Sequence, residues 1–296
     1  MEKNILMPII QELNWDNAFS SDASSRAVNL LETGHVLFFK ELPFLLFPEE
    51  NKFLSPLYAS RQAKNISYNP HTDKLQCGAC STSDYLALKN MLQRFLRQAE
   101  NVVKQVLAPY ASTLQIGRTS FRPVEISGRI PRSYRQDDSR LHVDAFPATP
   151  TQGKRILRLF TNINPHQQDR LWRVGEDFHR VVQQFLPNVR RWHPGWARLL
   201  KMLRITKSYR TPYDHIMLHI HDQMKADLTY QKNAEQCEVR FPAQSSWIVQ
   251  TDHVSHAAIA GQHVLEQTFY LSVDSMVNPE LSPLRVLEKN WETCLT

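Results

Sequence analysis

No stretch of this sequence stays apolar for long enough to cross a bilayer. The most hydrophobic segment, residues 36–47, is broken by Lys40, Glu41 and Pro43, well short of the roughly 20 residues a spanning helix needs. The amino-terminal residues carry neither a cationic leader nor a small-residue cleavage site after an apolar run, so secretion is not expected. The four cysteines, Cys77, Cys80, Cys237 and Cys294, are too few and too scattered for a disulfide scaffold in 296 residues, which fits a reducing cytoplasm. Cys77-Gly78-Ala79-Cys80 lacks the second cysteine pair of a zinc site and the strand lead-in of a thioredoxin motif. Glycine and proline show no enrichment, at 8 and 17 residues, and there is no internal period or low-complexity tract. Fibrous, solenoid and disordered classes are thereby excluded.

What is present is a globular composition, 42% hydrophobic, with a net charge of +6 that is unevenly spread. Between Arg190 and Arg210 there are seven Lys or Arg residues and no acid, a field suited to an anionic partner. Residues 194–203 can form a helix with Trp196, Leu199, Leu200 and Leu203 on one face and Arg198, Lys201 and Arg204 around it, the composition of an interfacial helix on an anionic leaflet. Trp192 and Trp196 could also serve a nucleic-acid surface, but no nucleic-acid module accompanies them, and none is expected as partner.

Hydrophobic periodicity predicts strands at 35–39, 118–126, 155–163, 246–250 and 264–273. Helices are expected from Ser81 through Val106, where Leu88, Leu92, Phe95, Ala99 and Val103 recur at helical spacing, at 175–186, and near the carboxyl end. Residues 64–74 read as turn-rich, and 251–261 as a short connector. The pattern is that of one domain over 1–296, with amino-terminal flanking elements at about 34–110 and a β core at about 115–275 that carries a helical, basic insertion at about 170–230.

The chain centres on Asp137-Asp138-Ser139-Arg140-Leu141-His142-Val143-Asp144-Ala145-Phe146-Pro147. In an extended segment His142 and Asp144 project from the same side. They form the local half of a two-histidine, one-carboxylate facial triad, which holds iron(II) on one face and leaves the other open. His71-Thr72-Asp73 has the same spacing but a helix follows it, without the strand framework such a site needs. The cluster Asp214, His215, His219, His221, Asp222 and Asp227 reads as a solvated element that in part walls the site more than as a metal cluster, because no pair in it has the strand-flanked context of His142. A second histidine must come from a strand far along the chain, and His253, His256 and His263 are candidates. His256 is preferred because Ala257 and Ala258 let a metal approach the backbone, whereas Asp252 could hold His253.

Asn65-Ile66-Ser67 with Lys64, the His142 block, Arg155-Ile156-Leu157-Arg158 with Phe160-Thr161-Asn162-Ile163-Asn164-Pro165, Trp172-Arg173-Val174-Gly175-Glu176, and Leu265-Glu266-Gln267-Thr268-Phe269 together resemble the Kdo hydroxylase family. The likeness runs from about Gly34 to Val273. It implies a mainly β double-stranded β-helix (jelly roll) with flanking α-helices, iron(II) held by His142, Asp144 and His256, and 2-oxoglutarate and O2 as co-substrates. The implied reaction is hydroxylation at C3 of 3-deoxy-D-manno-oct-2-ulosonic acid (Kdo) in the lipopolysaccharide inner core. The acceptor would be a Kdo–lipid A glycolipid, met by a cytoplasmic protein peripheral to the inner face of the inner membrane. The alternatives are a jelly roll that binds glycolipid without catalysis and a dioxygenase acting on another anionic substrate. Many such dioxygenases hold the far carboxylate of 2-oxoglutarate with an arginine soon after the second histidine, but no Arg or Lys occurs at 257–283. Arg158 is the expected substitute, with Asn162 on its face of the strand and Arg155 on the other, unless both arginines lie on an exposed edge. Arg122 and Arg140 are the candidates for the sugar carboxylate.

Overall fold

The computed structural model describes residues 10–14, 20–59 and 65–296. The reading of the first eight residues, and Lys64 of the resemblance, lie outside them.

Two sheets and a helical layer make up the described fold. The strands of the larger sheet are β1 (Ile10–Glu12), β2 (Val36–Phe39), β3 (Ile66–Asn69), β4 (Lys74–Gln76), β5 (Gln115–Arg122), β6 (Arg155–Asn162), β9 (Ser246–Gln250) and β11 (Val264–Leu271). They lie in the order β1-β2-β9-β6-β11-β5-β3-β4. The smaller sheet contains β7 (Arg170–Val174), β8 (Cys237–Phe241) and β10 (His256–Ala260), ordered β10-β7-β8. Apart from the parallel β1–β2 pair, the ladders are antiparallel. This is the double-stranded β-helix expected.

β6 is central and buried at all eight positions, so its two faces serve two different cores. Leu157 and Leu159 point to the helical layer, where α1 (Ser21–Glu32) and α2 (Thr82–Val106) pack. Phe160 points between the sheets and stacks on Trp247 at 5.2 Å, which in turn stacks on Phe241 at 4.0 Å. Ile156, Leu157, Leu159 and Phe160 fall on both faces, as expected of a strand covered on both sides, and they make the segment legible although Arg155 and Arg158 interrupt the apolar run. The exposed-edge alternative for Arg155 and Arg158 is excluded. On the helical side Arg155 is fully buried, with Nε 2.7 Å from Asp252 Oδ2 and Nη2 donating to Gln250 Oε1.

Several expectations change. Residues 66–76 form the β3–β4 hairpin rather than irregular turns, because Ile66, Tyr68 and Leu75 alternate inward. The supposed connector contains β10, so His256 opens a strand. The regions expected as flanking elements at 34–110 and as a helical insertion at 170–230 also contribute strands. β2, β3 and β4 belong to the large sheet, and β7 at 170–174 belongs to the small one, which confines the helical insertion to α3 (Phe178–Phe185), α4 (Pro194–Met202), α5 (Pro212–Ala226) and α6 (Leu228–Asn233). α7 (Pro283–Trp291) follows the core. In α4 the inward residues are Ala197 and Leu200, while Trp196 is 62% and Leu203 57% exposed, so these do not share one buried stripe.

Removing one partner of a buried ion pair leaves an uncompensated charge and costs roughly 3–5 kcal/mol. Asp252→Ala is therefore expected to lower the urea unfolding free energy by about that amount, with Arg155→Met/Asp252→Leu recovering most of it. A loss below about 1 kcal/mol in Asp252→Ala, the size of an exposed pair, would show that the pair is not buried in solution.

Candidate functional site

The segment after Arg140 runs alongside β10. Leu141 and Val143 point into the core, and the alternate residues His142 and Asp144 face a cavity of about 510 Å³ between the sheets. His142 and His256 form an antiparallel bridge with both backbone hydrogen bonds made, His142 N to His256 O at 3.0 Å and His256 N to His142 O at 2.9 Å. Their rings are thereby neighbours, with centroids 4.6 Å apart. One ligand atom from each of His142, Asp144 and His256 lies within 4.8 Å of the others, and among the described residues this is the one such cluster found. Cys77 and Cys80 lie side by side, 2.7 Å between sulfurs, with no third ligand in such a cluster.

The orientation of each donor has a local cause. His142 Nδ1 lies 2.8 Å from the Arg140 carbonyl and His256 Nδ1 lies 2.8 Å from the Val254 carbonyl. A carbonyl can only accept, so each Nδ1 carries the proton and each Nε2 lone pair is left for a metal. Burial, then the Lys225 charge and His256, hold His142 well below its ordinary pKa; burial lowers His256 although Asp144 opposes it. Both rings are neutral, as ligation requires. Trp172 of β7 stacks on the His256 ring at 5.1 Å. Burial raises the Asp144 carboxyl, but Arg158 and His256 outweigh it and keep it ionised. Two imidazole nitrogens and one carboxylate oxygen, buried and converging, fit iron(II).

Around the triad runs a chain of buried charge. Arg158 Nη2 is 2.9 Å from Asp144 Oδ2, close enough to pair although not aligned as a hydrogen bond, and Nη1 is 2.9 Å from Glu266 Oε1. Glu266 Oε2 accepts from Nε of Arg122 at 3.0 Å and from its Nη2. Burial raises the Glu266 carboxyl, and the two arginines more than reverse this.

The structure separates the remaining expected site residues. Arg158 and Arg122 line the cavity. Asn162 does not: its amide donates to the Gln168 and Phe241 carbonyls and its oxygen accepts from Asn164 N, so it ties strands together instead of facing a co-substrate. Arg140 is likewise a clamp, with Nε on Asp137 and Nη1 on the Lys225 carbonyl. His253 packs against Phe178 away from the cavity, and the supposed partner Asp252 is engaged by Arg155. His263, at φ 61°, precedes β11 and lies outside the cavity lining. His71 and Asp73 sit in the β3–β4 turn.

Further residues on α5 and β7 line the cavity. On α5 His221, edge-on to His142 at 5.3 Å, and Lys225 form one wall, as the His-rich segment had suggested in outline. On β7 the alternation Arg170, Trp172, Val174 faces inward, a signal present in the sequence but too short and too charged to stand out. Arg170 donates to the Gly261 carbonyl at 2.6 Å, in a turn where φ of 101° and the close approach of the Asp169 carbonyl require glycine.

A double-stranded β-helix bearing this donor set between its sheets defines a non-haem iron(II)/2-oxoglutarate-dependent oxygenase. Residues 14–293 match the family model described as 3-deoxy-D-manno-oct-2-ulosonic acid (Kdo) hydroxylase, and the chain belongs to that family. It is similar to crystal structures of the Kdo hydroxylase KdoO, a non-heme Fe(II) alpha-ketoglutarate-dependent dioxygenase. The cobalt(II) complex is 46% identical over 97% of each chain with a TM-score of 0.93. The complex with alpha-ketoglutarate and Fe(III) is 45% identical over 98% of this chain and 97% of that one, also at 0.93. The complex with succinate and Fe(III) is 45% identical over 97% of each, at 0.92. No curated protein matches the chain significantly.

His142→Ala, Asp144→Ala and His256→Ala are each expected to abolish stoichiometric cobalt(II) binding in calorimetry while retaining the wild-type circular dichroism. His253→Ala should bind the metal as the wild type does; a dead His253→Ala beside an active His256→Ala would reverse the assignment.

Proposed function

We propose that this protein uses iron(II) held by His142, Asp144 and His256, with 2-oxoglutarate and O2, to hydroxylate C3 of a Kdo unit carried on lipid A. With the metal and co-substrate bound, the site supplies an oxidant able to replace a C–H hydrogen by hydroxyl, as 2-oxoglutarate goes to succinate and CO2. The observation that carries the reading is the set of buried donors around the triad. Arg158 Nε, Arg170 Nε and Trp172 Nε1 have no hydrogen-bond partner among the described residues, and all three residues line the cavity. Leaving such donors unpaired costs free energy, which an anionic ligand would recover.

Arg170 is the residue we assign to the far carboxylate of 2-oxoglutarate, with Arg158 and Trp172 beside it. Burial, then the like charge of Arg122, lowers the Arg170 guanidinium to about 9. It has the Gly261 carbonyl as partner but no carboxylate within ion-pair reach among the described residues. Arg158 is shared with Asp144 and also fixes that ligand's orientation. Arg122 stands where a carboxylate of the co-substrate or of the sugar acid can reach it.

For location, we assign the surface around α4 to an anionic membrane. Trp196, Met202, Leu203 and Ile205 are more than half exposed beside Arg198, Lys201 and Arg204. Such apolar groups insert at a headgroup boundary, and each basic residue adds roughly 1 kcal/mol near an anionic surface. Among the described residues no helix is long and apolar enough to cross a membrane.

Charge-assisted hydrogen bonds contribute about 1.5–3 kcal/mol, so Arg170→Gln should raise the KM for 2-oxoglutarate by roughly 10- to 100-fold. Arg140→Gln should change it little; equal effects would remove Arg170 from this role. Replacing Arg198, Lys201 and Arg204 by Glu should release the protein from anionic liposomes in a pelleting assay, and unchanged pelleting would contradict the membrane assignment. The substrate is tested by incubating the protein with Kdo–lipid A, O2 and 2-oxoglutarate. The acceptor should gain the mass of one oxygen atom at C3, whereas hydroxylation of another molecule alone would keep the oxygenase and reject this acceptor.

A further inference from the structure

A second groove of about 880 Å³ opens beside the metal cavity and shares Asn65, Arg122, Phe146, Pro147 and Arg158 with it. Its floor continues the same sheet face. β11 pairs with β5 and β6 so that Glu266, Thr268 and Tyr270 run outward from the buried charge chain towards Arg118. Opposite Thr268 the β5 strand carries an extra residue, since Gln267 pairs with Thr119 and Phe269 with Ile116, leaving Gly117 and Arg118 against one partner. A bulge re-aims a side chain. Gly117 permits this one because a Cβ there would lie 2.8 Å from the Thr268 carbonyl.

The groove is cationic without being neutralised. Among the described residues half-buried Arg118 meets only neutral oxygens, Ser67 Oγ at 3.1 Å and Gln76 Oε1 at 3.5 Å. Lys207, which lines the same groove, has no acidic partner among the described residues, and its backbone N–H donates to the Ala148 carbonyl. Burial and then the Arg118 charge lower the Lys207 ammonium. Two cations thus face one cavity, whose one acid, Glu266, is already taken by Arg122 and Arg158. Lys207 also follows Leu203 and Ile205 closely, so the outer end of the groove adjoins the exposed apolar surface after α4.

We infer that this groove binds the part of the acceptor beyond the reacting sugar, and that Arg118 and Lys207 hold a phosphate group there. The inference rests on the proposed reading of the metal site and adds a specificity subsite to it. The volume exceeds what one sugar needs, the walls are continuous with the metal cavity, and the unpaired cations select a tetrahedral anion on a molecule whose lipid end lies on the α4 surface.

The test compares wild type with Arg118→Gln, Lys207→Gln and the double variant, using Kdo–lipid A with its phosphates and the same glycolipid after phosphatase treatment. The double variant should raise the KM for the phosphorylated acceptor about tenfold or more, with kcat and the KM for 2-oxoglutarate within about twofold. For the dephosphorylated acceptor the wild-type KM should already be raised and the substitutions should add little. Unchanged KM values, or equal losses on both acceptors, would overturn the inference; a wild type that turns over neither acceptor would instead overturn the proposed substrate. Independently of turnover, cobalt(II)-loaded protein with saturating 2-oxoglutarate should bind glucosamine 4-phosphate but not glucosamine in calorimetry, and the double variant should bind neither. Binding retained by the double variant would likewise exclude Arg118 and Lys207.

Discussion

The site depends on one backbone contact, the two-hydrogen-bond bridge between His142 and His256. These residues are 256 − 142 = 114 positions apart, and side chains directly opposite in an antiparallel pair are held within about 4.5–5.5 Å. Once the bridge forms, two of the three donors are neighbours regardless of how the intervening helices pack. Asp144 follows by alternation, and its N–H is fixed by the Thr251 carbonyl at 2.8 Å. Next to the bridge, Gly175 N–H donates to the Ser255 carbonyl, and a Cβ on Gly175 would come within 2.9 Å of Ser255 Oγ. The small sheet is thereby kept tight against the metal segment.

Electrostatics then turns a metal-binding geometry into a selective cavity. Asp144, Arg158, Glu266 and Arg122 alternate in sign, and each buried ion has a partner. Arg170 and Lys225 add positive charge to the same cavity without a carboxylate within ion-pair distance among the described residues. A buried cation of this kind is tolerated where a ligand supplies the missing charge. On the proposed reading a dicarboxylate co-substrate and a sugar acid would both do so, and the cationic surplus continues through Arg118 and Lys207.

The parts of this arrangement legible in the sequence were those with a local signal. β6, buried on both faces, and α2, with its Ser81 cap, declare themselves by composition and period. His142 and Asp144 are visible as a spaced pair within strand-rich context, and His256 by its small neighbours and by resemblance. What was hidden depends on contacts between distant segments. Asn162 and Arg140 carry the right chemistry but are engaged by Phe241, Gln168, Asp137 and Lys225 carbonyl or carboxylate oxygens, which no local pattern reveals. Arg170 gives no local signal, and Trp172, although part of the family motif, shows no site role, because β7 has only five residues, two of them arginine, and becomes a strand only by pairing with β8 and β10. Asp252 lies beside His253 in sequence yet faces Arg155, since the turn after β9 directs the two side chains apart.

The central claim is that the bridged histidines and Asp144 chelate iron with 2-oxoglutarate completing the site, and anaerobic titration addresses it directly. Purified protein loaded with one equivalent of iron(II) and titrated with 2-oxoglutarate should develop the visible charge-transfer band of the metal chelate, saturating stoichiometrically, and His256→Ala should not. Absence of the band in the wild type, or its persistence in His256→Ala, would contradict the account.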